Sequence, residues 1–203
     1  MNDSPGPPEN SKSVNQSDPD FERLLQDIRD WGKELGFQQL GISDIDLGEY
    51  ETRLLDWLAN GLHGEMGYME RHGTLRSRPS ELHAGTTRVI TVRMDYLPQT
   101  SSHVEALLEQ PSKAVISRYA LGRDYHKLMR KRLQKLAQRN EHQCGPFGSR
   151  VFVDSAPVME KALAEQAGLG WIGKQTNLIK QHAGSLLINV YIYTDMPITE
   201  DTA

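Results

Sequence analysis

Hydrophobic residues recur at helical spacing in four stretches of the chain. In residues 18–37 the apolar positions fall on one side of a helix, acidic residues precede them, and Gly36 provides a stop signal. Residues 63–72 are punctuated by glycine and predict a turn or a short helix. Further helices are predicted over 49–62, from Asp124 to the turn at 142–149, and over 156–168.

Other stretches are rich in β-branched and aromatic residues and predict strands. They do not alternate regularly with the helices, so a parallel βαβ architecture is not indicated. We therefore expect an α+β domain with a largely antiparallel sheet and helices packed on it. The predicted strands cover residues 38–43, 87–98, 113–120, 150–154 and 185–195.

Composition is that of a globular chain with one core. Of 203 residues, 37% are hydrophobic and 25% charged, which predicts a single domain over 19–203 after a disordered polar tail at 1–18. No apolar run approaches the roughly 18 residues of a spanning helix, and the N-terminus lacks a signal-peptide pattern. The single cysteine, Cys144, cannot form an internal disulfide or ligate a metal cluster alone, which favours the cytoplasm.

The net charge of −4 argues against indiscriminate nucleic-acid binding, yet one segment is strongly basic. Residues 117–139 contain eight Lys or Arg and one Asp. One interpretation is the solvated side of an amphipathic helix with Leu128, Leu133 and Leu136 facing inward.

Gly168, Gly170 and Gly173, followed by Lys174, form a GxGxxG pattern. A dinucleotide-binding loop needs these glycines after a strand and before a helix, whereas here a helix precedes them and a β-prone segment follows. Gln175 also stands where a phosphate-binding loop needs Ser or Thr. We predict that these glycines end a helix and permit a close backbone approach.

Asp154 ends a predicted strand and precedes a predicted helix, with Pro157 in what is expected to be the first helical turn. A structural role as the helix N-cap, by Asp154 or Ser155, is therefore one hypothesis. A nucleophilic role for Ser155 has little support, because no histidine occupies a recognisable partner motif.

Several segments resemble the epoxyqueuosine reductase family in the family's own order. They are "WLANGLHGEMGYM", "RSRPSELHAGTTRVITVRMDYLP", "RYALGRDYHKLMRKRL" and "VDSAPVMEKALAEQAGLGWIGK". Together they span roughly residues 20–188. The resemblance implies a cobalamin-binding domain of nitroreductase-like fold, similar to that of reductive dehalogenases.

The same resemblance implies a reaction. Such enzymes reduce epoxyqueuosine at the wobble position of tRNA to queuosine, and an external donor supplies electrons through two [4Fe–4S] clusters. The family's "VDSAP" aspartate corresponds to Asp154, which becomes the expected proton donor. A free Asp has a pKa near ~3.9, so donation at neutral pH requires an upward shift, which we expect from exclusion of water by the corrin and the nucleoside.

By family position, the cobalamin contacts are expected along the segment from Lys174 to Leu178 and at three isolated positions. The Tyr119–His126 block is expected near the corrin or the tRNA, and the basic helix gains a second interpretation as a tRNA-facing surface. The residues expected to bind the cofactor are Arg76, Ser117, Asp154, Lys174, Asn177 and Leu178.

The chain also departs from the family. Asn189, Val190 and Tyr191 stand where relatives usually have a Leu-Gly-Glu-like run, and no cluster-ligating cysteine motif is present. We expect a ferredoxin-like domain with these motifs downstream and a monomeric protein. Two alternatives are a cobalamin-binding carrier without catalysis and a flavin-dependent oxidoreductase of nitroreductase-like fold.

Overall fold

The computed structural model describes residues 21–96 and 103–201. The helices within these ranges are α1 (Phe21–Glu34), α2 (Gly48–Ala59), α3 (Gly67–Glu70), α4 (Pro79–Leu82), α5 (His103–Leu108), α6 (Tyr125–Cys144) and α7 (Glu160–Gln166). The strands are β1 (Gln39–Ser43), β2 (Arg88–Asp95), β3 (Ser149–Phe152), β4 (Trp171–Ile172), β5 (Leu178–Ile179) and β6 (Leu187–Thr194). Two short 3₁₀ helices span Gly73–Arg76 and Arg118–Ala120.

Four strands form one antiparallel sheet in the order β1-β2-β6-β3, and β4 and β5 form a separate hairpin. Ile90 of β2 lies opposite Ile42 of β1 on one side and Ile192 of β6 on the other. This arrangement confirms the predicted α+β class with an antiparallel sheet.

Helices cover both faces of the sheet. On one face, Ile28 of α1 and Leu133 of α6 pack in a cluster with Ile90. On the other, Leu163 of α7 packs in a cluster with Tyr193. Because successive strand residues face opposite sides, burial of both faces produces the nearly continuous apolar runs of β2 and β6.

Helix α6 confirms the predicted start, since the side chain of Asp124 accepts a hydrogen bond from the His126 backbone N–H. Leu133 is fully buried as predicted, but the expectation for Leu128 is wrong because its side chain is 43% exposed. Met129 takes the inward place instead. One residue turns the helix by about 100°, which moves Leu128 out of the buried stripe.

Two further expectations are corrected. Residues 113–117 form no strand, and a 3₁₀ helix follows them. Ile116 there is 60% exposed, because β-branched residues favour a strand only where a neighbouring strand can pair with them. The helix predicted from residue 156 begins only at Glu160.

The predicted tail at 1–18 and the domain start at 19 lie outside the described residues, so both stay predictions. Within the part of the chain that the structure describes, no helix has the length and apolar character that crossing a membrane requires.

Candidate active site

A cavity of about 460 Å³ opens beside the N-terminus of α6. It is lined by side chains from α6, from the loop between β3 and α7, from the β4–β5 hairpin and from the start of β6. Its aromatic and polar lining includes Tyr96, Tyr119, Tyr125, His126, Asp154, Glu160, Lys161, Asn177 and Asn189.

Asp154 lies in the loop after β3 and has a positive φ of 58°. Left-handed backbone is uncommon for residues other than glycine and often occurs at functional sites. The N-cap hypothesis is wrong for both Asp154 and Ser155, because α7 begins six residues after Asp154 and its N-cap is Met159. The structure therefore removes the simplest structural explanation for this carboxylate.

The carboxylate of Asp154 is held by two side chains from the first turn of α6. Tyr125 donates its hydroxyl to Oδ2 at 2.8 Å, and Nε2 of His126 lies 2.8 Å from the same oxygen. The rings of Tyr125 and His126 stack with centroids 4.0 Å apart. Among the described residues, none donates to Oδ1, so one carboxylate oxygen is fixed and the other is available to a ligand.

His126 lies between two carboxylates. Its Nδ1 is 2.9 Å from Oδ1 of Asp124, while its Nε2 faces Asp154. A neutral imidazole carries one N–H and only the imidazolium carries two, so this geometry favours the protonated ring. The hydrogen bond to Asp154 accordingly raises the pKa of His126 above its usual value.

The hydrogen bond from His126 lowers the pKa of Asp154, although desolvation by partial burial acts in the opposite direction. This direction is opposite to the one that we expect in the presence of a corrin. Both shifts favour a proton on His126 rather than on Asp154. The expectation of a protonated Asp154 concerns the ligand-bound cavity and stays a prediction.

Glu160 is a second acid in the same cavity and was not predicted from the sequence. Desolvation and then the negative charge of Asp154 raise the pKa of Glu160 to about 7, although Arg76 and Lys161 act to lower it. The hydroxyl of Tyr191 donates to the backbone carbonyl of Glu160 at 2.6 Å. The two acids of this cavity thus have pKa values shifted in opposite directions.

The predicted contact residues lie in three places: in this cavity, in a neighbouring cavity, and outside both. Asn177 and Leu178 line the cavity together with Asp154. Ser117 lines a neighbouring cavity of about 360 Å³, which shares Tyr96 and Tyr119 with the first.

Two predicted contacts lie outside both cavities. Arg76 is close enough to Glu160 to influence its pKa, and the Arg76 Nε atom is buried without a hydrogen-bond partner. Lys174 is exposed on the β4–β5 turn and lines neither cavity. The proposed role of each of these residues stays a prediction.

The glycines after α7 have the structural role that their order predicts. Gly168 has a φ of 68° just beyond the helix end, as a glycine C-cap requires. A Cβ atom on Gly170 would lie 2.2 Å from the carbonyl oxygen of Ile179. Gly170 therefore permits the close approach that lets the β4–β5 hairpin form, and no helix follows to bind a pyrophosphate.

Asn189 and Lys161 also line the cavity without having been predicted as site residues. Asn189 lies in the run that departs from the family pattern, and that departure was the signal that marked it. No such signal marked Glu160, because glutamate is common in the first turn of a helix, where its charge interacts favourably with the helix dipole. Within the described ranges, no group of three or more His, Cys, Asp or Glu side chains is arranged to hold a metal ion.

Asp154, Tyr125 and His126 lie in a segment with a recognised family pattern. Residues 76–155 match the family described as "Epoxyqueuosine reductase QueG, DUF1730". The epoxyqueuosine reductase of Pseudomonas aeruginosa is 60% identical over 189 residues, which cover 93% of this chain and 52% of that protein.

Two solved structures share the fold. A selenomethionine-labelled epoxyqueuosine reductase superposes with a TM-score of 0.77 at 20% identity, covering 90% of this chain and 48% of that one. An epoxyqueuosine reductase with an epoxyqueuosine-modified tRNA-Tyr stem loop superposes with a TM-score of 0.74 at 20% identity and the same coverage. The chain spans about half the length of the relatives that it matches, and over that span it is similar to epoxyqueuosine reductases.

Proposed function

We propose that this chain forms the catalytic domain of a cobalamin-dependent reductase that converts epoxyqueuosine in tRNA to queuosine. The observation that carries the proposal is the Asp154–His126–Tyr125 cluster, which places a carboxylate and a proton beside a cavity of about 460 Å³. Reduction of an epoxide to an alkene breaks both C–O bonds, consumes two electrons and two protons, and releases water. The leaving oxygen needs a proton, because an alkoxide is a poor leaving group.

Residues in and beside the cavity support a corrin ligand. Asn189 lines the cavity, whereas Arg76 lies outside its lining but close enough to Glu160 to influence its pKa. Arg76 Nε and Asn189 Oδ1 are buried polar atoms without a hydrogen-bond partner in the described structure. Buried polar atoms are almost always paired, so these two are suited to a ligand. The amide arms of cobalamin offer both donors and acceptors, and Tyr96 and Tyr119 provide aromatic surface for its flat ring. When bound, the reduced cobalt supplies the electrons.

Side chains of the protein supply and transfer the proton that the leaving oxygen needs. Asp154 transfers to the substrate oxygen the proton that His126 supplies. Tyr125 fixes the carboxylate through Oδ2. A nitroreductase-like fold, a monomeric state and an external electron donor complete this proposal.

Absorption spectra test which cofactor the protein binds. We expect purified protein to change the absorption spectrum of hydroxocobalamin with saturation at a stoichiometry of one, and to leave the spectrum of FMN unchanged. Arg76→Ala and Asn189→Ala should each weaken cobalamin binding by about tenfold, because each removes one buried polar contact of roughly 1.4 kcal/mol. A flavin spectrum that changes while cobalamin does not would favour the flavin-dependent alternative.

Exposed cations of α6 begin next to the cavity and are suited to tRNA phosphates. Lys127, Arg130 and Lys131 are exposed, and no carboxylate among the described residues forms an ion pair with them. The structure of the relative with a tRNA stem loop supports tRNA as the partner. We propose that these three side chains bind the backbone near the modified base.

Replacing all three cations by Gln should lower the slope of log Kd against log salt concentration by about 2–3, since each phosphate contact contributes ~0.7–0.9. A matched control replaces Lys33, Arg53 and Arg139, which are exposed but already paired with carboxylates. Fluorescence anisotropy with an anticodon stem loop gives the slope. An equal slope in both triple variants would show that these three cations of α6 face solvent and do not contact tRNA phosphates.

A further inference from the structure

The reaction proposed above consumes two protons, whereas the Asp154–His126–Tyr125 cluster stores one, on His126. The described part of the chain contains one further acid in this cavity, Glu160. Glu160 and Asp154 lie at the two ends of the same loop, and both line the cavity.

The Glu160 side chain is not engaged in a structural interaction. Its carboxyl group forms no hydrogen bond or ion pair with a described residue, although its backbone carbonyl accepts one from Tyr191. The adjacent cation, Lys161, donates instead to the backbone carbonyl of Thr176 at 2.5 Å. A carboxyl group that is partly buried and unpaired favours its protonated form more than an exposed carboxyl group does.

We propose that Glu160 is the second proton store of this site and reprotonates Asp154 within each catalytic cycle. Glu160 does not contact the substrate, so it is a positioning residue that acts through Asp154. The inference rests on the proposed function, because it assigns the second proton of that reaction.

The proton and electron balance is complete. Asp154, recharged from His126, donates the first proton to the epoxide oxygen when the first C–O bond breaks, which leaves a hydroxyl group. Glu160 then returns a proton to Asp154 through water in the cavity, and Asp154 donates it as the hydroxyl leaves as water and the C=C bond forms. The two electrons would come from bound, reduced cobalamin, and solvent reprotonates Glu160 and His126 afterwards.

The charges around Glu160 are consistent with this role. Asp154 faces it from the loop and Arg76 from the 3₁₀ helix, while Lys161 follows it on α7. Tyr125 on α6 and Tyr191 and Tyr193 on β6 also interact with its charge, and each has a raised pKa. Ionised Glu160 therefore adds negative charge to a region that already contains Asp154, which contributes to the raised pKa of about 7 and leaves a substantial protonated fraction at pH 7.

Two measurements test the inference. In the 203-residue chain, carbon-13 NMR of the side-chain carboxyl groups should show one glutamate titrating near pH 7, and Glu160→Gln should remove that signal whereas Glu22→Gln should not. In the full-length protein with bound cobalamin reduced beforehand, single-turnover reduction by Glu160→Gln should be about tenfold or more slower than wild type at pH 6. The two rates should converge at pH 8.5, where the wild-type Glu160 has lost its proton, and Glu160→Asp should restore part of the rate at pH 6.

The outcomes separate the inference from the proposed function. A purely structural role would slow Glu160→Gln equally at pH 6 and pH 8.5, and that result overturns the inference. If Glu160→Gln turns over at the wild-type rate and Glu160 titrates at its ordinary pKa near 4.5, the inference is also overturned. The proposed function would then still stand. A wild-type protein that binds no cobalamin overturns both.

Discussion

Asp154→Asn is expected to lower the turnover of epoxyqueuosine-containing tRNA by about 10²–10⁴-fold, the usual contribution of a positioned general acid. The substitution keeps the size of the side chain and an oxygen that can accept the Tyr125 hydroxyl, so the loop should retain its conformation. It removes the group that we propose transfers a proton from His126. Single-turnover assays with full-length protein and bound cobalamin measure the loss, and the cobalamin spectrum shows whether binding is retained.

Asp124→Asn is the matched control. Asp124 also accepts from His126, but its carboxylate does not line the cavity, and asparagine preserves the N-cap of α6. Its effect on turnover should stay within about tenfold. Undiminished turnover of Asp154→Asn with cobalamin still bound would remove Asp154 from the mechanism.

Gly170→Ala is expected to destabilise the protein by about 1–3 kcal/mol or more, which is a large part of the stability of a typical domain. The added Cβ would lie 2.2 Å from the carbonyl oxygen and 2.9 Å from the carbonyl carbon of Ile179. Both are backbone atoms, so no side-chain rotation relieves the overlap and the hairpin must shift. Because Asn177 and Leu178 belong to that hairpin, the cavity should change as well.

Denaturant unfolding measures this loss, and Gly67→Ala serves as the control. Gly67 begins α3 and has open space where its Cβ would lie, so alanine there should be neutral or stabilise by up to ~1 kcal/mol. Equal unfolding midpoints for Gly170→Ala and wild type would show that the hairpin tolerates the shift and that the close approach is not required.

The sequence predicted those features whose causes are local. The β-branched runs of β2 and β6, the Asp124 cap of α6 and the glycine end of α7 each depend on a few neighbouring residues, and each is present. The family pattern also identified Asp154, which the structure places in a cavity with Asn177 and Leu178.

Tertiary structure decided the features that depend on distant groups. Residues 113–117 have β propensity but no strand to pair with, and Asp154 meets His126 across 28 residues of sequence. The raised pKa of Glu160 results from desolvation by surrounding segments and from the charge of Asp154. Local patterns therefore determined the elements and the candidate acid, whereas the protonation states of the site were decided by folding, because desolvation and charge interactions add up over atoms that only the folded chain brings together.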